Sequence, residues 1–220
     1  AEPLIIHQYP KAVIEQKVSE VIGQVGLRDE HLRRYPHSFS GGQRQRIGIA
    51  RSLIISPKGI ICDEAVSALD VSVQAQIINL LKELQARYKY SYIFISHDMS
   101  VIRHICDRIA VMYAGSIVEF GTKEKVLNSP RHPYTEALLD AVPKISNRRS
   151  KGKRKILSGE PPDLSRERIG CSMFERCGYR IDACQTTPMK LSGSRNQHLT
   201  ACMRTNEIEL NGLITDSKQL

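Results

Sequence analysis

The chain has 220 residues, 41% of them hydrophobic and 25% charged, and a net charge of +9. That composition supports a packed core and excludes a wholly disordered or collagen-like chain, and no run approaches the roughly 18 consecutive apolar residues of a membrane span. The opening AEPLIIHQYPKAV has no basic stretch and no long apolar one, so it lacks the marks of a secretory signal. It starts without Met and in mid-pattern, and the expectation is a chain that begins inside a longer gene product.

In chain order, apolar residues recur at helical spacing through Val13, Ile14, Val18, Val21 and Ile22, and Gly26 marks a stop. A polar stretch then leads to Phe39-Ser40-Gly41-Gly42-Gln43, and Arg44 to Ile55 reads as a helix ended by Pro57. Gly59-Ile60-Ile61-Cys62 is a short, unalternating apolar run, the pattern of a fully buried parallel strand, and it stops at Asp63 and Glu64. A second helix carries Ile77, Ile78, Leu81 and Leu84. A second apolar run, Tyr92 to Ile95, ends at Ser96-His97-Asp98, and a short helix follows through Val101, Ile102 and Ile105. Arg108 to Tyr113 and Ser116 to Phe120 read as a hairpin around Ala114-Gly115. His132-Pro133-Tyr134 opens one more helix, with Pro133 suited to its first position. Strands alternating with helices predict an α/β fold on a parallel sheet.

After Pro143 the composition turns basic and loop-rich. Seven basic residues and no acid lie between Lys144 and Lys155. Such a run reads as a solvated linker, with contact to anionic lipid headgroups as its rival. Nucleic acid is disfavoured, because the chain has no Trp, 5% aromatics and no reader motif. The predicted division is 1–143, a linker over 144–170, and a four-cysteine extension over 171–220.

Two predicted strands end in polar groups, Asp63-Glu64 and His97, and parallel sheets bind ligands beyond the carboxyl ends of their strands. An aspartate there can hold Mg²⁺, usually through water, and an adjacent glutamate can orient or deprotonate an attacking water. The plain alternative is a pair of acids at a strand corner. Ser40-Gly41-Gly42-Gln43 sits just before a helix, where glycines admit close approach of backbone N–H groups and the helix N-terminus favours phosphate. The plain alternative here is a turn with Ser40 as helix cap.

Taken in order, these residues resemble the ATP-binding subunits of ABC transporters. Phe39-Ser40-Gly41-Gly42-Gln43 resembles the signature motif, with Phe where Leu is usual. Gly59 to Glu64 resembles Walker B with its catalytic glutamate, Ser67-Ala68-Leu69-Asp70 the D-loop, and His97 the switch histidine. His132-Pro133-Tyr134 and the cysteine-bearing tail resemble the C-terminal extension of oligopeptide/dipeptide importers. The resemblance implies a P-loop (RecA-like) nucleotide-binding domain that takes ATP and Mg²⁺. Asp63 would help hold Mg²⁺, Glu64 would polarise the hydrolytic water, and His97 would contact the γ-phosphate. Ser40, Gly41, Gly42 and Gln43 would close over ATP on the opposing subunit, and Asp70 would communicate across the dimer. The implied partners are a second ABC ATPase subunit, identical or not, two membrane permease subunits and a periplasmic solute-binding protein. The implied place is the cytoplasmic side of a bacterial inner membrane. Ala65 stands where the family has proline, Gly59 stands where it has a branched residue, and G-x-x-x-x-G-K-[ST] does not occur in the chain.

Of the six cysteines, Cys62 and Cys106 sit in apolar, periodic surroundings and read as buried small hydrophobes. Cys171, Cys177, Cys184 and Cys202 follow a C-x5-C-x6-C-x17-C pattern. Four thiolates can hold Zn²⁺ or an iron–sulfur cluster; these spacings exceed the usual zinc C-x2-C, and the resemblance implies a [4Fe–4S] cluster, leaving zinc and free thiols as alternatives. The overall expectation is the ATPase subunit of a peptide importer. The alternatives are a nickel, glutathione or other small-solute importer, a non-catalytic module that lends only its signature face to a partner, and an ABC ATPase of DNA repair or translation, against which the tail argues.

Overall fold

A computed structural model describes residues 1–142, 157, 159–160, 162–163, 165, 169–194 and 198–213. The basic run from Lys144 to Lys155 lies outside the described residues, as does most of the predicted linker. The chain divides into two compact units, Ala1–Ile105 and Cys106–Leu220. The division does not fall at residue 143, because the tail contributes a strand to a sheet that begins at Arg108.

The first unit is α/β. Its elements are α1 (Glu2–Ile6), α2 (Lys11–Gln24), α3 (Gly41–Leu53), β1 (Gly59–Asp63), α4 (Val71–Tyr88), β2 (Ser91–Ile95) and α5 (Met99–Ile105), with 3-10 turns at Asp29–Arg33 and Pro36–Ser38. Strands β1 and β2 pair in parallel, from Gly59 opposite Ser91 to Asp63 opposite Ile95. As the spacing predicts, α2 stops before Gly26, whose φ of +72° suits glycine. Ile22, Val25, Ile49, Leu53, Ile77 and Leu81 form a single core with Ile60 and Cys62.

The prediction of a strand buried on both faces is corrected. β1 alternates, with Ile60 and Cys62 buried, Ile61 68% exposed, and Ile93 and Ile95 of β2 at 64% and 48%. The core residues contributed by the helices pack with Ile60 and Cys62, so this face of the sheet is covered and the other is bare among the described residues. Cys62 is buried as expected, while Cys106 is only half-buried.

The second unit is built on an antiparallel sheet of order β3-β4-β6-β5: β3 (Arg108–Tyr113), β4 (Ser116–Thr122), β5 (Ser192–Ser194) and β6 (His198–Thr200). The hairpin turn holds Ala114 and Gly115 at φ +49° and +78°, the left-handed pair of a type I′ turn. Helices α6 (Lys123–Asn128) and α7 (Pro133–Ala141) follow, then a 3-10 turn at Phe174–Arg176 and α8 (Ala183–Thr186). Reading the tail as loops missed β5 and β6, which are too short to show a period. Among the described residues no helix is long and apolar enough to cross a membrane.

Candidate functional site

β1 ends at Asp63, and the chain turns at once. Glu64 adopts φ +44°, a left-handed conformation that costs a side-chain-bearing residue free energy. Its backbone N–H donates to the Ile95 carbonyl at 3.0 Å, and its own carbonyl accepts from the Ser67 hydroxyl at 3.0 Å. Glu64 is thus held from both sides at the carboxyl ends of β1 and β2. Its Oε1 lies 3.1 Å from His97 Nδ1, just past the end of β2. Both side chains are exposed, His97 by 77% and Glu64 by 54%. Asp63 is exposed beside them. Asp98 caps α5, accepting from the Ser100 N–H at 2.8 Å and the Ser100 hydroxyl, and these bonds hold its carboxyl below the ordinary carboxylate range. The three strand-end residues singled out by sequence therefore share one corner. An exposed carboxylate hydrogen-bonded to an imidazole can accept a proton from water and keep that water oriented.

A second group forms where α3 and α4 begin. The Ser40 hydroxyl accepts from the Gln43 N–H at 3.3 Å, and the Gln43 side-chain oxygen accepts from the Ser40 N–H at 3.1 Å. This reciprocal capping box fixes the start of α3. It leaves the first N–H groups of that helix, beginning with Gly41 and Gly42, without partners along the helix. A side chain at Gly42 would meet Val73 of α4 at 2.6 Å, so glycine is needed for the two helix starts to lie this close. Asp70 caps α4, accepting from the Val73 N–H at 3.0 Å and the Ser72 hydroxyl at 2.7 Å, and these bonds lower its carboxyl pKa. Ser40, Gly41, Gly42, Gln43 and Asp70 are thus neighbours around two helix N-termini, an environment that favours anions.

The second unit contains a buried polar network that sequence reading missed. Glu119, fully buried on β4, accepts from the Arg131 N–H at 2.7 Å, the His132 N–H at 3.0 Å, the Thr135 hydroxyl, and His198 Nε2 at 2.6 Å. Glu136, also buried, accepts from the Tyr179 hydroxyl and from Asn211. An acid inside a strand whose neighbours Val118 and Phe120 are apolar was a usable signal, since charges are rarely buried unless paired. The partners, 12 to 79 residues away, gave no local trace.

Cys171, Cys177, Cys184 and Cys202 line one cavity together with His132 and Met173. Burial raises the pKa of Cys171, Cys177 and Cys202, that of Cys202 to about 11. Backbone hydrogen bonding at Met173, Tyr179 and Arg204 opposes that rise at Cys171, Cys177 and Cys202 respectively, but burial outweighs it. Gly170 passes so near the Gln185 carbonyl that a side chain there would lie 2.1 Å from it, and the Cys171 N–H donates to the Cys184 carbonyl at 2.8 Å. Among the described residues no three His, Cys, Asp or Glu side chains stand close enough together to hold a metal ion.

Comparison with known proteins follows these two units. Residues 7–67 match the family described as ABC transporter, and residues 118–184 match the oligopeptide/dipeptide transporter C-terminal region. The chain is 47% identical over 209 residues to the dipeptide transport ATP-binding protein DppF of Escherichia coli, covering 94% of this chain and 62% of the relative. It is 46% identical to the oligopeptide transport ATP-binding proteins AppF of Bacillus subtilis over 203 residues, and OppF of Haemophilus influenzae over 207. Those matches cover 91% and 93% of this chain, and 62% of each relative. The chain thus spans about three fifths of the length of these curated relatives. Among solved structures, cbiO1 of Clostridium perfringens, part of the ABC transporter complex cbiONQ, superposes with a TM-score of 0.48 at 32% identity, over 54% of this chain and 47% of that one.

Proposed function

We propose that the chain belongs to the ABC transporter family, among the ATP-binding proteins of its oligopeptide/dipeptide branch, and that it couples ATP hydrolysis to peptide import; the matches to both family models and to the dipeptide transport ATP-binding protein support this. It would act with a second ATPase subunit, two membrane permease subunits and a solute-binding protein, on the cytoplasmic face of a bacterial inner membrane. The observation that carries this reading is Glu64, held in a left-handed conformation at the end of β1 with its carboxylate on His97. Glu64 accepts a proton from the attacking water, and His97 keeps the carboxylate and that water aligned. Asp63, exposed at the end of β1, would help hold Mg²⁺, which would supply charge neutralisation to the transferring phosphate. The N–H groups at the start of α3, set by the Ser40–Gln43 box, donate to the terminal phosphate of ATP held by an opposing subunit.

The 220 residues contain no phosphate-loop motif. Acting as those residues alone, the chain would serve by the Ser40–Gly42 face, completing one composite site on an intact partner.

The tail is read as holding a [4Fe–4S] cluster. In support, Cys171, Cys177, Cys184 and Cys202 line one cavity. A cluster takes one thiolate per iron and so needs a wider spread of sulfurs than a single ion does.

The test is transport. Joined behind the phosphate-loop portion of the Escherichia coli relative, in cells lacking that subunit, the chain should restore dipeptide uptake, and Glu64→Gln should abolish it. An assembled complex that hydrolyses ATP yet takes up no peptide would assign it to another solute.

A further inference from the structure

A polar cavity of about 350 Å³ opens in the first unit, lined by Gly26, Arg28, Glu30, His31, Gln43 and Arg46. Its size falls among small-molecule sites, about 300–1,000 Å³, and no role described above uses it. Arg46, half-buried on α3, is its fixed point. The Arg46 Nη1 donates to the Val25 carbonyl, just past α2, at 2.6 Å. Gly26 keeps that contact open, because its φ is +72° and a side chain there would meet Nη1 at 2.9 Å. The bond occupies one of the five N–H donors of a guanidinium. Among the described residues Arg46 has no carboxylate partner, and a half-buried charge without a counter-ion is costly.

The other lining groups leave that charge uncompensated. Glu30 is the one acid on the cavity, and Arg28 at 3.6 Å and Arg34 at 3.8 Å share it. His31 Nδ1 accepts from the Arg28 N–H at 2.9 Å, and its ring lies against Phe39 with centroids 5.9 Å apart, so the imidazole is held in place. The Gln43 side-chain oxygen is taken by the Ser40 N–H at 3.1 Å, which leaves its amide nitrogen to donate. We infer that this cavity binds the phosphate group of a small molecule, with Arg46 as the fixed donor and Arg28, His31 and Gln43 completing the set. A guanidinium presents a planar fork that matches two phosphate oxygens at once. The inference does not depend on the ATPase reading, since the cavity is built from residues 26–46 and needs no second subunit.

The experiment titrates the full chain by calorimetry at about 0.15 M salt, where exposed charges are screened, with inorganic phosphate and separately with AMP. The 220 residues contain no phosphate-loop motif, so neither signal comes from one. Saturable one-to-one binding is expected. Arg46→Gln should weaken it about tenfold, the loss of a charge-assisted hydrogen bond, and Arg46→Lys less, because it keeps the charge without the fork. Arg28→Gln should weaken it as well, and it carries the test should Arg46→Gln not fold, because the Arg28 side chain is 82% exposed. Arg33→Gln, a basic residue of the same stretch outside the cavity, should leave the affinity unchanged. Phosphate binding as tightly as AMP would assign the site to the free ion, and AMP binding alone to a nucleotide source; both support a phosphate site. No saturable binding of either probe would overturn the inference. So would binding that Arg46→Gln and Arg28→Gln leave unchanged, or that Arg33→Gln weakens as much as Arg28→Gln.

Discussion

Glu64 Oε1 and His97 Nδ1 meet at 3.1 Å across the ends of two parallel strands, although 33 residues separate them in sequence. The pairing follows from the register: Asp63 lies opposite Ile95, so the residues just past each strand emerge side by side. The strain at Glu64 and the bond to His97 act on one carboxylate, which makes the two residues a unit rather than two independent sites. In an assembled, hydrolysing subunit His97→Ala should therefore slow turnover by about 10²-fold through loss of alignment. Adding it to Glu64→Gln should cost little more, because residues acting together are not additive. Additive losses, measured in a double-mutant cycle, would show that the pair is not coupled.

Asp70 makes a pH prediction. Hydrogen bonds to its ionised form lower its pKa below the 3.8 of an unperturbed aspartate. A depressed carboxyl adds stability that is present above the unfolded value and is lost as pH falls through the folded one. Thermal midpoints of wild type and Asp70→Asn, compared as pH drops below 3.8, should converge. Asparagine caps without titrating, so a gap that stays constant would contradict the role of the charge.

Glu119 anchors the second unit. Glu119→Ala would strip acceptors from two backbone N–H groups, the Thr135 hydroxyl and His198. Breaking a buried charged or hydrogen-bonded set in this way costs about 3–5 kcal/mol. Denaturant unfolding should show that loss, and hydrogen exchange should show it concentrated at β4 and β6. A loss under about 1 kcal/mol would mean that the network is incidental.

The bare face of the two-stranded sheet should make the 220-residue chain associate. Ile61 and Ile93 are exposed by 68% and 64%, on a sheet type that is normally covered on both faces. Light scattering should rise with concentration, and Ile61→Thr with Ile93→Thr should reduce it. Scattering unchanged by the pair would place the sticky surface elsewhere.

The α/β order, the parallel pairing and the strand-end acids were legible in the sequence, because each rests on a local signal. A four-residue apolar run ending in Asp63-Glu64, or Ser40 three residues before Gln43, carries its meaning within one turn of chain. The sequence could not show which face of β1 would be bare, because that depends on what packs there. Nor could it show that His198 would pair with Glu119, or that the tail would add β6 to β4, because these are long-range contacts between short segments. The four cysteines were legible as a group, but the ring of His132 beside them was not.

The proposal that matters most is that Glu64 acts as the general base of an ABC-type ATPase. The direct measurement is single-turnover ATP hydrolysis by the chain joined to the phosphate-loop portion of its Escherichia coli relative, with and without Glu64→Gln. The account predicts that the variant binds Mg²⁺-ATP with unchanged affinity and hydrolyses it about 10²–10⁴-fold more slowly. Equal hydrolysis rates in the two proteins would contradict it.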